Sequence, residues 1–189
     1  GLGIVPPIDR VILITGAASG IGAATVRAVA RGGVALLLHT RRNREGLAAV
    51  ADAARDAGAQ IATQFGDLAV EGVADQLVER ACARFGRLDQ IVSNAGFADR
   101  RGFGDVDGAA LRQSLAAITE AFFALVSAAL PQLRDSDWGR VVAISSFVAH
   151  NFGIDDTVFP VTAAAKAGLE GLAKSLAYQL AASGTTVNC

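Results

Sequence analysis

Short apolar runs alternate along the chain with longer stretches in which apolar residues recur at helical spacing. The runs that predict buried strands cover 11–14, 34–38, 61–65, 88–92 and 141–144. The helical patterns cover about 21–31, 43–57, 70–85, 108–134 and 160–183. Strands that alternate with helices in this way predict an α/β fold, a doubly wound parallel sheet of the Rossmann type with three α/β/α layers.

The last helix and the chain end add to this picture. Leucines three and four residues apart form one stripe on that helix, which predicts a buried face: Leu169, Leu172, Leu176 and Leu180. The 189 residues fit one domain, and we expect a single domain over 1–189. The sequence stops at Cys189 within a segment that is typical of a strand, so we expect the C-terminal part of the fold to be missing.

Composition excludes several classes of protein. Hydrophobic residues make up 52% and charged residues 19%, which is unlike a disordered chain, and the net charge of −1 gives no basic footprint for nucleic acid. Two cysteines far apart in sequence predict neither a disulfide framework nor a metal site. No continuous apolar run reaches the roughly 18 residues of a membrane helix, and no signal-peptide pattern is seen, so we expect a cytoplasmic protein.

Glycines cluster where the first strand meets the first helix. Gly16, Ser19, Gly20, Ile21 and Gly22 follow the strand directly and open the helix. Missing side chains let a backbone approach a diphosphate closely, and the helix N-terminus offers free N–H groups with a partial positive charge. The segment therefore predicts a dinucleotide site, whereas the alternative is a tight turn that binds nothing.

The same segment, TGAASGIG, resembles the TGxxxGxG signature of the short-chain dehydrogenase/reductase family. Four further segments resemble family motifs in the same order, from 11 to 188: Asp67-Leu68, Ser93-Asn94-Ala95-Gly96, Ile144-Ser145-Ser146 and Ala165-Lys166-Ala167-Gly168-Leu169. The resemblance implies an oxidoreductase that transfers hydride between a nicotinamide cofactor and a small carbonyl or secondary alcohol. It also implies that Asp67 and Leu68 touch the adenine, that Asn94, Ala95 and Gly96 border the cofactor, and that the protein forms a homodimer or homotetramer through its long helices.

The end of the second strand bears on the choice of cofactor. An acidic residue there would accept hydrogen bonds from the ribose 2′-hydroxyl of NAD, but this chain has Thr40, Arg41 and Arg42. Guanidinium groups pair well with phosphate. We therefore expect NADP(H) to be preferred and NAD(H) to be possible. The alternative is that the two arginines only solvate the start of a helix.

The catalytic motif departs from the family pattern. Lys166 and Ser146 match the family's lysine and serine, but Thr162 stands four residues before Lys166, where the family has tyrosine. The single tyrosine, Tyr178, lies twelve residues beyond Lys166. It cannot take the place of the family's tyrosine in this fold. Ile118 takes the position of the family's asparagine.

This departure leaves two hypotheses open. Losing a positioned acid or base costs about 10²–10⁴ in rate, and an aliphatic hydroxyl is far less acidic than a phenol. In the first hypothesis Ser146, Thr162 and Lys166 polarise the substrate oxygen, while solvent or His150 supplies the proton. In the second the chain binds NAD(P) without efficient turnover and acts as a regulatory or scaffolding subunit. A third hypothesis is another Rossmann-like enzyme, such as a methyltransferase. The Asn94–Gly96 segment and Lys166, which both resemble the dehydrogenase motifs, argue against it.

Overall fold

Six parallel strands form the central sheet. The computed structural model describes residues 3–94, 96–145, 153–154 and 157–189. The strands are β1 (Arg10–Ile14), β2 (Val34–Thr40), β3 (Gln60–Phe65), β4 (Gln90–Ser93), β5 (Arg140–Ala143), β6 (Gly153–Ile154), β7 (Thr157–Val158) and β8 (Thr186–Asn188). The sheet order is β3-β2-β1-β4-β5-β8, and β6 and β7 pair separately as an antiparallel ribbon.

Helices connect the strands and cover both faces of the sheet. They are α1 (Gly20–Val29), α2 (Arg44–Asp56), α3 (Val73–Phe85), α4 (Gly108–Ser114), α5 (Ala121–Asp135) and α6 (Pro160–Leu180). A π-helical segment, Leu115–Glu120, joins α4 to α5. It divides the stretch 108–134, which the sequence pattern predicts as one helix. The pattern misses this division because periodicity alone does not reveal a change in backbone hydrogen bonding.

Side chains of β1 show how the two layers are built. Val11 and Leu13 point to the side covered by α3, α5 and α6, and Ile12 and Ile14 point to the side covered by α1 and α2. Successive residues of a strand face opposite sides of a sheet, so a strand covered on both sides must be apolar throughout. The expected doubly wound, three-layer α/β/α fold of the Rossmann type is confirmed.

The stretch Gly108–Asp135 is long and apolar enough to cross a membrane by length and composition, and 39% of its most apolar 18 residues are buried. Its α5 part packs Phe122, Leu125 and Leu133 into the core with no exposed surface. These residues form the core-facing side of α5, whereas Phe123 is 58% exposed. The predicted leucine stripe of α6 packs into the same core, with Leu169 and Leu180 buried.

The sheet order reverses between β1 and β4. The chain leaves β1 toward β2 and β3 on one side and returns to β4 and β5 on the other. In open parallel sheets such a reversal leaves a crevice outside the carboxyl ends of the strands. The segments after Ile14 and after Ser93 lie side by side at this crevice, because the Thr15 N–H donates to the Val92 carbonyl at 3.0 Å.

A buried carboxylate links β1 and β4 near the amino ends of these strands, opposite the crevice. Asp89 precedes β4 and is 1% exposed. Its carboxylate accepts hydrogen bonds from the Val11 N–H at 2.8 Å, from the Arg87 guanidinium at 2.8 and 2.9 Å, and from the Ser136 hydroxyl. Burial alone would raise the pKa of Asp89, but the hydrogen bonds from Arg87, Ser136 and Val11 outweigh it and lower the pKa below the ordinary 3.8.

We expect Asp89→Asn to lower the free energy of unfolding by about 2 kcal/mol, the typical contribution of hydrogen bonds to a charged group. A carboxyl with a lowered pKa in the folded state stabilises the fold above its unfolded pKa, and this stabilisation disappears as the pH falls below 3.8 through the folded value. Acid unfolding below pH 3.8 should therefore be shallower in the variant. Urea titrations across pH measure both effects. Asp52→Asn, at an exposed ion pair with Arg55, is the matched control; equal losses in both variants would contradict the prediction.

Candidate functional site

A cleft of about 440 Å³ lies at the reversal point of the sheet, outside the carboxyl ends of β1, β2 and β4. We call it the main cleft. Its lining includes most of the residues that the sequence predicts for the cofactor: Gly16, Ser19, Gly20, Ile21, Thr40, Arg41, Asp67, Leu68, Asn94 and Gly96. It also includes four that the sequence reasoning missed: His39, Phe97, Gln113 and Ala117. These four belong to no sequence motif, so no signal pointed to them.

The glycines after β1 permit a backbone that other residues would not. Gly16 and Gly20 have φ of +60° and +55°, which L side chains rarely adopt. A Cβ atom at Gly22 would collide with the Gly16 carbonyl oxygen and lie 2.6 Å from Asn94 Nδ2. Gly22 therefore lets the first turn of α1 sit directly against the end of β1.

Asn94 fastens this glycine loop to β4. Its Nδ2 donates to the Gly16 carbonyl at 3.1 Å, and its backbone N–H donates to the Thr15 hydroxyl at 3.0 Å. Asn94 thus ties the glycine loop to the end of β4 through Thr15 and Gly16. Ala95, which the resemblance places beside the cofactor, lies outside the described residues.

The N-terminus of α1 faces the main cleft through Ser19, Gly20 and Ile21. The first N–H groups of a helix have no partner within it. Within the described part of the chain, the Ser19 side chain makes no capping hydrogen bond to α1. This arrangement of uncapped amides and small residues fits an anionic group such as a diphosphate.

His39 is one of the four cleft residues that the sequence did not predict. Its Nδ1 accepts from the Gly16 N–H at 3.2 Å, and its Nε2 lies 2.8 Å from the Gly66 carbonyl oxygen. Its own carbonyl accepts from the Ala17 N–H at 2.8 Å. The amides of Gly16 and Ala17 are therefore engaged with His39, so the amides that remain for a ligand are those at the start of α1.

Arg41 lies at the cleft margin beyond β2. Its guanidinium is paired with the Asp67 carboxylate at 3.1 Å, and both side chains are partly exposed. Thr40 is buried and lines the cleft, whereas Arg42 is exposed. Leu68 is buried beside Asp67 and provides an apolar wall. The cleft thus presents a cation and an apolar surface at this end.

Lys166 lies on α6, near the end of β5. Its Nζ donates to the Ile144 carbonyl at 2.8 Å, and burial lowers its pKa from the ordinary value. The next residue, Ser145, donates through its hydroxyl to the Glu170 carboxylate at 2.8 Å. Ser146 and His150, named from the sequence, lie outside the described residues. The structure therefore brings Lys166 to the strand end that leads into Ser146.

Thr162, which the resemblance places at the family's tyrosine position, lies one turn before Lys166 on α6. Its side chain is buried, and its hydroxyl oxygen accepts from the Asp99 N–H at 2.9 Å. Among the described residues that line the main cleft, Thr162 is absent. The hydroxyl is thus engaged with the main chain of another segment, and its role toward a substrate oxygen stays a prediction. Tyr178 is 90% exposed on α6, far from this contact in sequence.

Ile118, which the resemblance places at the position of the family's asparagine, lies in the π-helical segment and is buried. A Cβ at Gly96, which has a φ of +128°, would lie 2.8 Å from Ile118 Cγ1. The neighbouring Thr119 donates through its hydroxyl to the Ala165 carbonyl at 2.8 Å, just before Lys166. The segment therefore packs between the Gly96 turn and α6.

Comparison with known proteins agrees with this arrangement. The family model for short chain dehydrogenases matches residues 10–189. A cis-4-hydroxycyclohexanecarboxylate dehydrogenase from Sinomonas cyclohexanicum is 36% identical over 181 residues, which are 95% of this chain and 71% of that protein. A 1,2-dihydroxy-1,2-dihydronaphthalene dehydrogenase from Ralstonia sp is 34% identical over 92% of this chain and 66% of its own length.

Solved structures share the fold. A 3-oxoacyl (acyl-carrier-protein) reductase from Agrobacterium tumefaciens C58, solved with NADP bound, superposes with a TM-score of 0.85 at 29% identity. The match covers 96% of this chain and 69% of that one. The family model spans the strands, the glycine loop and the α6 motif alike. This chain therefore belongs to the short-chain dehydrogenase/reductase family of NAD(P)-binding oxidoreductases.

Proposed function

We propose that this chain is an NADP(H)-preferring oxidoreductase that interconverts a small carbonyl compound and its secondary alcohol. The observation that carries the proposal is the pairing of an uncapped glycine-rich helix start with Arg41 at the margin of one cleft. Residues 1–189 would form one NAD(P)-binding domain. NAD(H) remains an accepted but weaker ligand in this proposal.

The diphosphate would bind at the start of α1. The amides of Gly20, Ile21 and Gly22 lie in the first turn, where the helix dipole favours negative charge. The small residues there leave room for close approach of the phosphate oxygens.

The 2′-phosphate would bind Arg41. The present partner of Arg41, Asp67, forms a half-exposed ion pair, and such pairs contribute about 0–1 kcal/mol. A phosphate monoester carries more charge and accepts two parallel guanidinium bonds, so it competes well for the same group. Thr40 lies next to Arg41 and would assist through its hydroxyl, and Arg42 would add to the positive field.

The substrate would bind beside Lys166 and Ser146. In the reduction, NADPH supplies a hydride to the carbonyl carbon and the oxygen takes up a proton. Lys166 would contribute a partly buried ammonium next to the β5 end, and Ser146 would orient the oxygen. The proton would come from solvent or from His150, since Thr162 offers no group that ionises near neutral pH. We propose that Thr162 acts mainly by fixing the main chain at Asp99.

Assembly and location are further parts of the proposal. Phe123 on α5 and Tyr178 on α6 expose large apolar surfaces on the helices that would form a homodimer or homotetramer. The packing of one face of α5 into the core favours a core helix over a membrane span, and we propose a cytoplasmic location. No nucleic acid is expected as a partner, given the net charge of −1.

Gly22→Ala should abolish tight nucleotide binding, because its Cβ collides with the Gly16 carbonyl and displaces the Asn94 amide. We expect a loss of at least about tenfold in affinity for NADPH, the equivalent of roughly 1.4 kcal/mol. Isothermal titration calorimetry measures it. Gly171→Ala on α6 is the matched control, since nothing lies within 4 Å of its Cβ. Wild-type affinity in Gly22→Ala would contradict the close approach.

Arg41→Ala should weaken NADPH binding by about 10- to 100-fold, as expected for loss of hydrogen bonds to a charged group. NADH binding should change by less than about threefold, because NADH lacks the phosphate that Arg41 would bind. Fluorescence titration with both nucleotides gives the two constants. Arg27→Ala, an exposed arginine at the end of α1, should leave both unchanged. Tighter binding of NADH than NADPH by the wild type would refute the preference.

Thr162→Val removes the hydroxyl and keeps the shape of the side chain. Because the Asp99 N–H loses its acceptor, we expect the free energy of unfolding to fall by about 1 kcal/mol. The turnover number for ketone-dependent NADPH oxidation should stay within about threefold, and Thr162→Ser should behave as wild type. A turnover reduced by about 10² with unchanged stability would instead assign the hydroxyl to the reacting oxygen. Nucleotide binding without turnover of any carbonyl in a panel would favour the regulatory alternative.

A further inference from the structure

The imidazole of His39 lies between two main-chain groups of opposite type. The Gly16 N–H can only donate, so Nδ1, at 3.2 Å from it, must lack a proton. The Gly66 carbonyl can only accept, so Nε2, at 2.8 Å from it, must carry one. The two contacts together specify the neutral ring and one of its two tautomers.

The surroundings favour that neutral state. The side chain is 1% exposed, and its burial lowers the pKa from the ordinary 6.5, while the bond to Gly66 and the charge of Asp67 act in the opposite direction. Asp67 follows β3, and its carboxylate is itself paired with Arg41 beyond β2. A proton on Nδ1 would also place two N–H donors against each other at Gly16.

The ring connects the two walls of the adenosine end of the cleft. One wall is the glycine loop, which His39 holds through the Gly16 N–H and, by its own carbonyl, the Ala17 N–H. The other wall begins at Gly66, whose N–H donates to the Thr40 carbonyl and which leads directly to Asp67 and Leu68. A single buried side chain therefore fixes the distance between the diphosphate-binding loop and the segment proposed to meet the adenine.

We propose that His39, in its neutral Nε2–H form, is a positioning residue that holds the Gly16 loop in the shape that binds the nucleotide. It touches the cleft but acts through Gly16. This inference rests on the proposed NADP(H) site. The bond that Nδ1 accepts from Gly16 supports ligand binding, whereas the bond that Nε2 donates to Gly66 mainly holds the Gly66 turn.

Two substitutions separate these bonds. The side-chain amide of Asn ends at the level of Nδ1, so His39→Asn can still accept from Gly16, whereas the longer His39→Gln can still donate to Gly66. We expect His39→Asn to bind NADPH within about threefold of wild type. His39→Gln should lose about tenfold, because the Gly16 amide is left without its acceptor. A space-filling role alone would lower affinity in both variants in step with their loss of stability.

A pH series adds an independent test. A neutral ring with a lowered pKa stabilises the fold above pH 6.5, and this stabilisation is lost as the pH falls below 6.5 through the folded value. The melting temperature of the wild type should therefore fall more steeply below pH 6.5 than that of His39→Asn. The other histidine of the chain, His150, is present in both proteins and cancels in the comparison.

The tautomer can be read in the intact wild-type protein by long-range ¹H–¹⁵N correlation of ¹⁵N-labelled histidine, with the signals assigned by their loss in His39→Asn. The expected spectrum shows a bare Nδ1 and a protonated Nε2 at pH 7.5. A protonated Nδ1, or equal NADPH affinities in His39→Asn and His39→Gln while the wild type binds NADPH, would overturn the inference alone. Absence of any nucleotide binding by the wild type would overturn the proposed function together with it.

Discussion

The close contact of Gly22 with the Gly16 carbonyl and the Asn94 amide is the constraint on which the site depends. The end of β1, the first turn of α1 and the end of β4 meet at this point. Gly22 lies against the Gly16 carbonyl, which also accepts a hydrogen bond from the Asn94 amide. Parallel strands bring these segments to the same edge of the sheet, but only the missing side chain lets them touch. The cleft and its orientation toward the helix start follow from that contact.

The main cleft and the region around Lys166 differ in how closely they follow the family. The main cleft keeps the glycine loop, Asn94 and a cationic margin at Arg41. Around Lys166, the resemblance places the buried Thr162 where the family has tyrosine and the buried Ile118 where it has asparagine. Both replacements pack against main-chain turns, at Asp99 and at Gly96 respectively. On that alignment, the proposed acid–base chemistry would come from groups other than a tyrosine.

The sequence predicted the order of strands and helices because uniformly apolar runs such as Leu36–Leu38 are stable only when covered on both faces. It also predicted most of the residues that line the main cleft, since they follow the carboxyl ends of neighbouring parallel strands. It did not predict His39, because a buried histidine in a strand shows its purpose only when Gly16 and Gly66 are seen on either side. The contact of Thr162 with Asp99 was beyond reach for the same reason, as it joins residues 63 positions apart. The π-helical segment around Ile118 has no periodicity signal of its own.

A crystal structure of this chain with NADPH tests the central claim most directly. We expect the diphosphate at the amides of Gly20, Ile21 and Gly22, with the 2′-phosphate on Arg41. The Gly16 N–H should remain bonded to His39. A nucleotide bound elsewhere, or a 2′-phosphate that points away from Arg41 into solvent, would contradict it.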